Sequence, residues 1–395
     1  MPAPASHLST ASASQIRDVT EKAWTVPGVS ILSVGEPDWA VPAHIREAGM
    51  AAYQRDATHY TPSGGIADLR KEVARERSER LGVDIDSSRV WVTAGGAQGI
   101  ALALMATVTR GSQVLVPDPG YPPFATTTTL LGGIVVPYPL TAAGGFLPDP
   151  AALEALITNE TRVLILNSPS NPLGAVIDPE LMRRLLDLAR RYDLWVFSDE
   201  CYSAFPGAGT FASALQHDDD GRVLCLESFS KTYAMTGVRV GTLVVPSSLN
   251  RYMPMLQESL ISCVNLPAQY AALAALRGPQ DAVGAAANAI EERRRLVCDT
   301  LDQAGISYAT DGGGIYVWVD VRDWCGGDVY GWSMDLIERD KVAVAPGTAF
   351  GERGQGWLRI SLTASPGTLR EGLRRLLAAL DRARMSRELS PARSV

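Results

Sequence analysis

The sequence predicts an α/β protein, with a large domain on a mainly parallel, seven-stranded sheet flanked by helices and a smaller α+β domain after it. Three observations carry this. Seven β-rich runs (VWVTA, QVLVPD, IVVPYPL, RVLILN, LWVFSDE, RVLCLES and TLVVP) alternate with helical segments between residues 90 and 246. Most of them are continuously apolar, as strands covered on both faces should be, rather than alternating. Beyond about residue 280 the texture changes to a long Arg-rich helix, short strands and a final helix.

Taken in order, VWVTA reads as a strand and GGAQGIALALMATV as the helix that follows it. PELMRRLLDLARRYD and its counterparts carry the helical period between later strands. Strand–helix–strand repetition of this kind winds right-handed and lays helices on both faces of a parallel sheet. In the second unit AIEERRRLVCDTLDQA reads as a helix and GGGIYVWVDV as a strand. A helix near Tyr330 to Arg339, the segments VAVAP and WLRISL, and a helix from Pro366 complete it. The expected divisions are an N-terminal arm with part of the small domain (1–45), a large domain (46–280) and a small C-terminal domain (281–395). The first fifteen or so residues and the tail SRELSPARSV are small and polar and read as mobile ends.

A chain of 395 residues is too long for one small core, and 46% hydrophobic with 20% charged residues is ordinary for a globular protein. A formal charge of -7 leaves no basic footprint for nucleic acid. The basic clusters RRLLDLARR and EERRRL sit in helical patterns with acidic neighbours and read as solvated helix faces. Five scattered cysteines without C-x-x-C spacing argue against a disulfide framework or a zinc site, and no metal ligand set is expected. The start MPAPASHLSTASAS lacks a charged and an apolar region, so it does not read as a signal peptide, and no apolar run approaches a bilayer span. A cytoplasmic protein without nucleic-acid or membrane partners is the expectation.

The chemistry centres on ESFSKTYAMTGVRVG. Of only four lysines, Lys22, Lys71 and Lys341 lie in charged or polar segments, whereas Lys231 follows a strand into a hydroxyl-rich turn. Taken alone, this segment also fits a buried lysine paired with a carboxylate. The spacing favours more. Ser228, Ser230 and Arg239 surround one amine with two hydroxyls and a guanidinium, a set suited to a phosphate dianion. An amine that bonds covalently beside a phosphate pocket is what pyridoxal phosphate requires.

S-F-S-K-T-Y-A-M-T-G-V-R-V-G resembles the pyridoxal-phosphate attachment signature of the class I/II aminotransferases, enzymes of fold type I related to aspartate aminotransferase. The resemblance implies that Lys231 holds the cofactor covalently, with Ser228 and Arg239 on its phosphate. It extends, in order, over nearly the whole chain. GEPDWAVPAHI is similar to the N-terminal segment that lies over the substrate carboxylate, implicating Gly35, with Trp39 beside it in place of a smaller aromatic. HYTPSGGIADLRKEV implies that Tyr60 reaches the phosphate of a neighbouring subunit, and hence a homodimer with shared sites. TAGGAQGI implies a phosphate cradle at a helix N-terminus formed by Gly96, Ala97 and Gln98. PDPGYPPF places Tyr121 against the cofactor ring. NSPSNPLGAV and SDECYSAF imply that Asn171 and Tyr202 donate to the cofactor's 3-oxygen and that Asp199 pairs with its ring nitrogen. GWLRISL implies that Arg359 clamps the substrate α-carboxylate.

The resemblance implies a ping-pong exchange of an amino group between an L-amino acid and a 2-oxo acid. Lys231, Asp199 and Tyr202 would be catalytic, with Lys231 acting as both anchor and acid–base. A lyase or decarboxylase on the same scaffold keeps these residues and is the alternative. A non-catalytic binding module has no chemical need of them all. None of the four histidines, His7, His44, His59 and His217, falls in these motifs. Several relatives have a lysine where this chain reads GGAQ, and no second arginine for a dicarboxylic side chain is identifiable, although the partner subunit could supply one. Trp39 and Trp318 suggest a bulky side-chain pocket.

Overall fold

The computed structural model describes residues 14–310 and 312–388, so the two mobile-end expectations lie almost wholly outside the described residues. Its strands are β1 (Ser30–Ile31), β2 (Val90–Thr93), β3 (Gln113–Asp118), β4 (Ile134–Pro139), β5 (Thr161–Asn167), β6 (Trp195–Asp199) and β7 (Val223–Ser228). They continue with β8 (Gly241–Val244), β9 (Tyr308–Ala309), β10 (Tyr316–Asp320), β11 (Val342–Ala343), β12 (Ala345–Pro346) and β13 (Trp357–Ser361).

All seven predicted runs enter one sheet, in the order β2-β8-β7-β6-β5-β3-β4. β3 through β7 pair in parallel, and β8 runs antiparallel to both β7 and β2. Continuous Val, Ile and Leu in β5, β6 and β7 is explained by their burial on both faces. β4 departs from expectation. Although apolar in sequence, it is one of the sheet's two edge strands, and Ile134 stands 50% exposed.

The helices over the sheet carry their own boundary signals. Pro179–Arg191 starts where Asp178 accepts a hydrogen bond from the Leu181 amide at 2.8 Å, and Ala67–Leu81 ends on Gly82 at φ +70°, a left-handed cap that glycine adopts without strain. The helix Gly95–Thr107 has no side-chain cap at its N-cap residue Ala94, which leaves its first amides without a side-chain acceptor from that residue.

The smaller sheet, β12-β13-β10-β9, is antiparallel throughout. Asp281–Gln303 and Pro366–Glu388 belong to the same region, where Ile290, Val297, Leu369 and Leu373 join Val317 and Ile360 in one apolar core. A parallel pair, β1 with β11, ties the entering chain to this region. The EERRRL cluster is not wholly the solvated face expected, since Glu292 and Arg295 are exposed but Arg293 and Arg294 are buried. Arg293 donates to the Thr363 carbonyl at 2.9 Å and pairs with Asp38 at 2.8 Å, while Arg294 donates to the Gly314 carbonyl at 2.7 Å. Both side chains are buried because they satisfy loop carbonyls that a sequence window cannot see. RRLLDLARR behaves as expected, with Arg183 pairing with Glu180 and Asp187 on an exposed face.

Candidate active site

The C-terminal ends of β5, β6 and β7 deliver Asn167, Asp199 and Ser228 to one crevice, the place where parallel α/β sheets present functional groups. A cavity of about 140 Å³ opens there, lined by Gly96, Ala97, Tyr121, Asn171, Tyr202 and Lys231 among others. It adjoins a cleft of about 840 Å³ that shares Tyr121, Lys231 and Thr236 with it.

Lys231 sits on the short helix Phe229–Thr232, begun by the Ser228 side chain. Its Nζ donates to the Gly35 carbonyl at 2.5 Å. Burial is the main cause lowering its pKa below 10.5, with the Arg359 charge acting in the same direction and Tyr316 opposing. A lysine in this state is a nucleophile and a base at pH values where an exposed one is neither.

Asp199 ends β6 and is buried; its Oδ1 accepts from the Cys201 amide at 3.0 Å, and its carbonyl accepts from Asn167 Nδ2 at 3.0 Å. Burial raises its carboxyl pKa. An ionised carboxylate held there lacks a cationic partner of its own, and a ring N–H⁺ brought against it would supply one.

Arg239 and the helix N-terminus form the anion end. Arg239 has φ +59°, which for a non-glycine residue is a strained conformation held by its surroundings. Its Nη1 and Nη2 donate to the carbonyls of Thr236 and Ala94 at 2.8 and 3.3 Å. Gly95, at φ +74°, admits it, because a Cβ there would lie 2.5 Å from Arg239 Nη2. Among the described residues no carboxylate pairs with Arg239. Ser228 and Ser230 join at 2.9 Å on the same wall. A guanidinium, two hydroxyls and uncapped amides suit a phosphate group.

Opposite, Arg359 on β13 is 3% exposed and has no ion pair among the described residues. Its Nη1 donates to Asn171 Oδ1 at 2.8 Å, its Nη2 to the Ser33 carbonyl at 2.5 Å, and its Nε has no partner. A buried cation with a spare donor is a built receptor for a carboxylate. Because Arg359 occupies Asn171 Oδ1, the Asn171 amide nitrogen is the end left to donate into the cavity. Tyr202 meets Tyr316, Oη to Oη at 3.0 Å, and burial is the main cause raising the Tyr202 pKa well above 10. Tyr121 is pushed up to about 12, mainly by burial.

Three expected residues are placed differently. Gln98 turns away from the cavity and caps its own helix, its Oε1 accepting from the Ala94 amide at 2.5 Å and its Nε2 donating to Gln257 at 3.3 Å. Trp39 lines neither cavity and instead stacks under Arg293, 5.3 Å from ring to guanidinium. Trp318 is fully buried against Trp357 and Phe350, so it shapes no pocket. Tyr60, expected to serve a neighbouring subunit, lines neither of these two cavities and is 88% exposed.

Residues the sequence reading did not single out also enter the site. Thr236 lines both cavities and donates to Glu36 at 2.6 Å, and Cys201 and Asn167 flank Asp199. Tyr316 lies under Arg359, ring centroid to guanidinium 4.1 Å, and its Oη would be 2.1 Å from any Cβ at Gly35. Its one sequence cue was its place on the strand IYVWVD, facing the same side as Trp318.

The family model described as "Aminotransferase class I and II" matches residues 27–376. The chain belongs to this family. This aminotransferase is 35% identical over 371 residues to an aspartate aminotransferase of Pyrococcus horikoshii, covering 93% of this chain and 95% of that one. It is 38% identical over 361 residues to an LL-diaminopimelate aminotransferase of Desulforudis audaxviator, covering 90% and 92%. Among solved structures, aspartate aminotransferase from Thermus thermophilus with maleate superposes with a TM-score of 0.91 at 30% identity, covering 96% of this aminotransferase and all of that chain. The fold is therefore fold type I, and the activity is transfer of an amino group between an amino acid and a 2-oxo acid, in a family that depends on pyridoxal phosphate. Among the described residues no helix is long and apolar enough to cross a membrane.

Proposed function

We propose that this aminotransferase holds pyridoxal phosphate with Lys231, Asp199, Tyr202, Asn171, Tyr121, Ser228, Arg239 and the amides of Gly96, Ala97 and Gln98, and binds its amino-acid substrate through Arg359. The observation that carries this reading is the facing pair: a lysine amine with a burial-lowered pKa, and a buried arginine whose Nε has no acceptor. The residues present fit the cofactor, since the anion end has an unpaired guanidinium and the far end a buried, uncompensated carboxylate. When bound, the cofactor supplies an aldehyde that captures amines and a ring that draws electrons from the substrate's α-carbon.

The chain's own residues do the rest. Nζ of Lys231, which burial makes easier to deprotonate, would take the α-proton and redeliver it nearby, so one group serves as base and then acid. Asp199 stabilises a protonated ring nitrogen by charge, and the desolvation that raises its pKa when alone becomes a strong attraction once the cation is present. Asn171 and Tyr202 would donate to the cofactor's phenolic oxygen. Gly35 places its carbonyl on Lys231, and its missing side chain leaves the space that the Tyr316 hydroxyl fills.

Arg359→Gln is expected to raise KM for amino acids about 100-fold, the loss of a charge-assisted carboxylate contact in a buried site, with cofactor absorbance retained. A KM near that of the wild type would remove Arg359 from this role. The decisive test of the reaction class is a half-reaction followed by visible spectroscopy, adding single amino acids without an oxo acid. A transaminase converts the cofactor band and reverses on adding a 2-oxo acid. A lyase or decarboxylase releases ammonia or carbon dioxide instead.

The large cleft favours neutral side chains. Its lining includes Ile16, Trp24, Val34 and Phe350, and among the described residues its only cations are Arg17, ion-paired with Glu21, and Lys231 itself. Leucine, methionine or phenylalanine is expected to exceed aspartate in kcat/KM by about tenfold, as the lack of a spare cation for a second carboxylate requires. Steady-state kinetics with aspartate preferred would overturn this.

The proposal includes a homodimer in which Tyr60 reaches the partner's phosphate. It is supported by the exposure of Tyr60 together with Met50, Tyr53, Met255 and Leu260. Tyr60→Ala and Lys231→Ala, each impaired alone, are expected to recover about a quarter of wild-type activity after mixed refolding, one intact site per hybrid. No recovery in hybrids shown to form would sink the shared site. The five free thiols fit a reducing, cytoplasmic setting.

A further inference from the structure

Tyr316 occupies a position that none of the expected roles accounts for. It lies on β10 of the smaller sheet, yet its hydroxyl crosses to Tyr202, which follows the end of β6 in the larger one, at 3.0 Å. Its ring face supports the Arg359 guanidinium at 4.1 Å, and β10 and β13 pair so that Tyr316 and Arg359 belong to adjacent strands. The hydroxyl fits against Gly35 so closely that a methyl there would clash at 2.1 Å, while the Gly35 carbonyl accepts from Lys231. One buried side chain thus touches the groups that meet the cofactor oxygen, the substrate carboxylate and the lysine.

We propose that Tyr316 is a positioning residue, its hydroxyl orienting Tyr202 and its ring face orienting Arg359, so that one side chain sets both the donor on the cofactor and the clamp on the substrate. The inference rests on the cofactor and substrate roles given above to Tyr202 and Arg359. Hydrogen-bond direction follows from those roles. A hydroxyl has one proton, so if Tyr202 spends its own on the cofactor's phenolic oxygen, Tyr316 must donate to Tyr202. That donation polarises the Tyr202 hydroxyl and makes it a better donor in turn. A stronger donor on the phenolic oxygen favours its anionic form and weakens the oxygen's hold on the proton shared with the lysine nitrogen, which is then lost at lower pH.

The experiment is a visible-absorbance pH titration of the cofactor-loaded enzyme for wild type, Tyr316→Phe, Tyr202→Phe and the double variant. Alongside it, equilibrium binding of propanoate measures carboxylate affinity in wild type, Tyr316→Phe and Tyr316→Leu. Tyr316→Phe is expected to move the titration midpoint up by about half to one pH unit, the worth of one hydrogen bond. The same change in the Tyr202→Phe background is expected to shift nothing further, since the effect travels through Tyr202. Propanoate affinity stays within about twofold in Tyr316→Phe, which keeps the ring, and falls roughly fivefold in Tyr316→Leu, which loses the cation–π support. An unmoved midpoint in Tyr316→Phe, a shift that persists in full without the Tyr202 hydroxyl, or undiminished propanoate binding in Tyr316→Leu overturns the proposal. A wild type with no titrating visible band would remove the parent reading, a result distinct from a wild-type band that Tyr316→Phe leaves in place.

Discussion

Lys231→Ala is expected to abolish turnover, lowering kcat by at least about 10⁴-fold, because the variant loses the covalent anchor and the proton carrier together. The lowered pKa of this lysine makes a sharper test available. Pyridoxal phosphate added to cofactor-free protein at neutral pH and fixed with borohydride should label the peptide containing Lys231. Lys22, Lys71 and Lys341 should stay largely unmodified. Each of those three has water or a polar partner, as with the ion pair of Lys22 to Glu338 and the contact of Lys341 Nζ with the Glu338 carbonyl at 2.9 Å. Lys231 alone combines the depressing effect of burial with the neighbouring Arg359 charge. Equal labelling of all four lysines, or full turnover by Lys231→Ala, would defeat the assignment.

Asp199→Asn is expected to lower kcat/KM by about three orders of magnitude, the usual scale for losing one preorganised charge at a reacting centre. The same substitution should stabilise the cofactor-free chain. The sign follows from the raised carboxyl pKa, which burial causes. A carboxyl that binds its proton more tightly folded than unfolded adds stability below the ordinary value near 4, and that contribution is lost as pH rises through the raised folded value. Above that raised value an ionised Asp199, with no cation paired to it among the described residues, therefore weighs against the folded, cofactor-free protein. Thermal unfolding followed from pH 4 upward should show cofactor-free wild type losing stability relative to Asp199→Asn as pH rises. Cofactor binding should reverse the order, because the ring cation then pairs with the aspartate. An Asn variant that is less stable at pH 8 without cofactor would contradict the account. Activity gained at the expense of local stability is common in such sites.

Much of the site was legible because its residues stand at strand ends or in short local signatures. Asp199 closes β6, Ser228 closes β7, and Lys231 follows within a turn, so a reading of consecutive residues finds them. Arg239 could be placed by its spacing from Lys231, although the strained backbone that turns it onto the helix N-terminus was not visible. Gln98 was read as part of the cradle because it follows two residues that do line it. Its side chain turns back because its Oε1 accepts from the Ala94 amide one turn earlier and its Nε2 donates to Gln257.

By itself the sequence determined the alternation that builds the parallel sheet, the order of its motifs and the chemical type of the central residues. These depend on local periodicity and on short spacings along the chain. Only the tertiary structure decided which distant groups share one volume. Tyr316 meets Tyr202 across 114 positions and Arg359 meets Asn171 across 188. It also separated Tyr316 from Trp318 two residues on, the first beside the reacting groups and the second sealed behind them. The strand period puts both on one side, but depth is set by the neighbouring sheet. Arg293 and Arg294 make the same point, since their charges are satisfied by carbonyls at Thr363 and Gly314 that lie beside them only after the chain has folded.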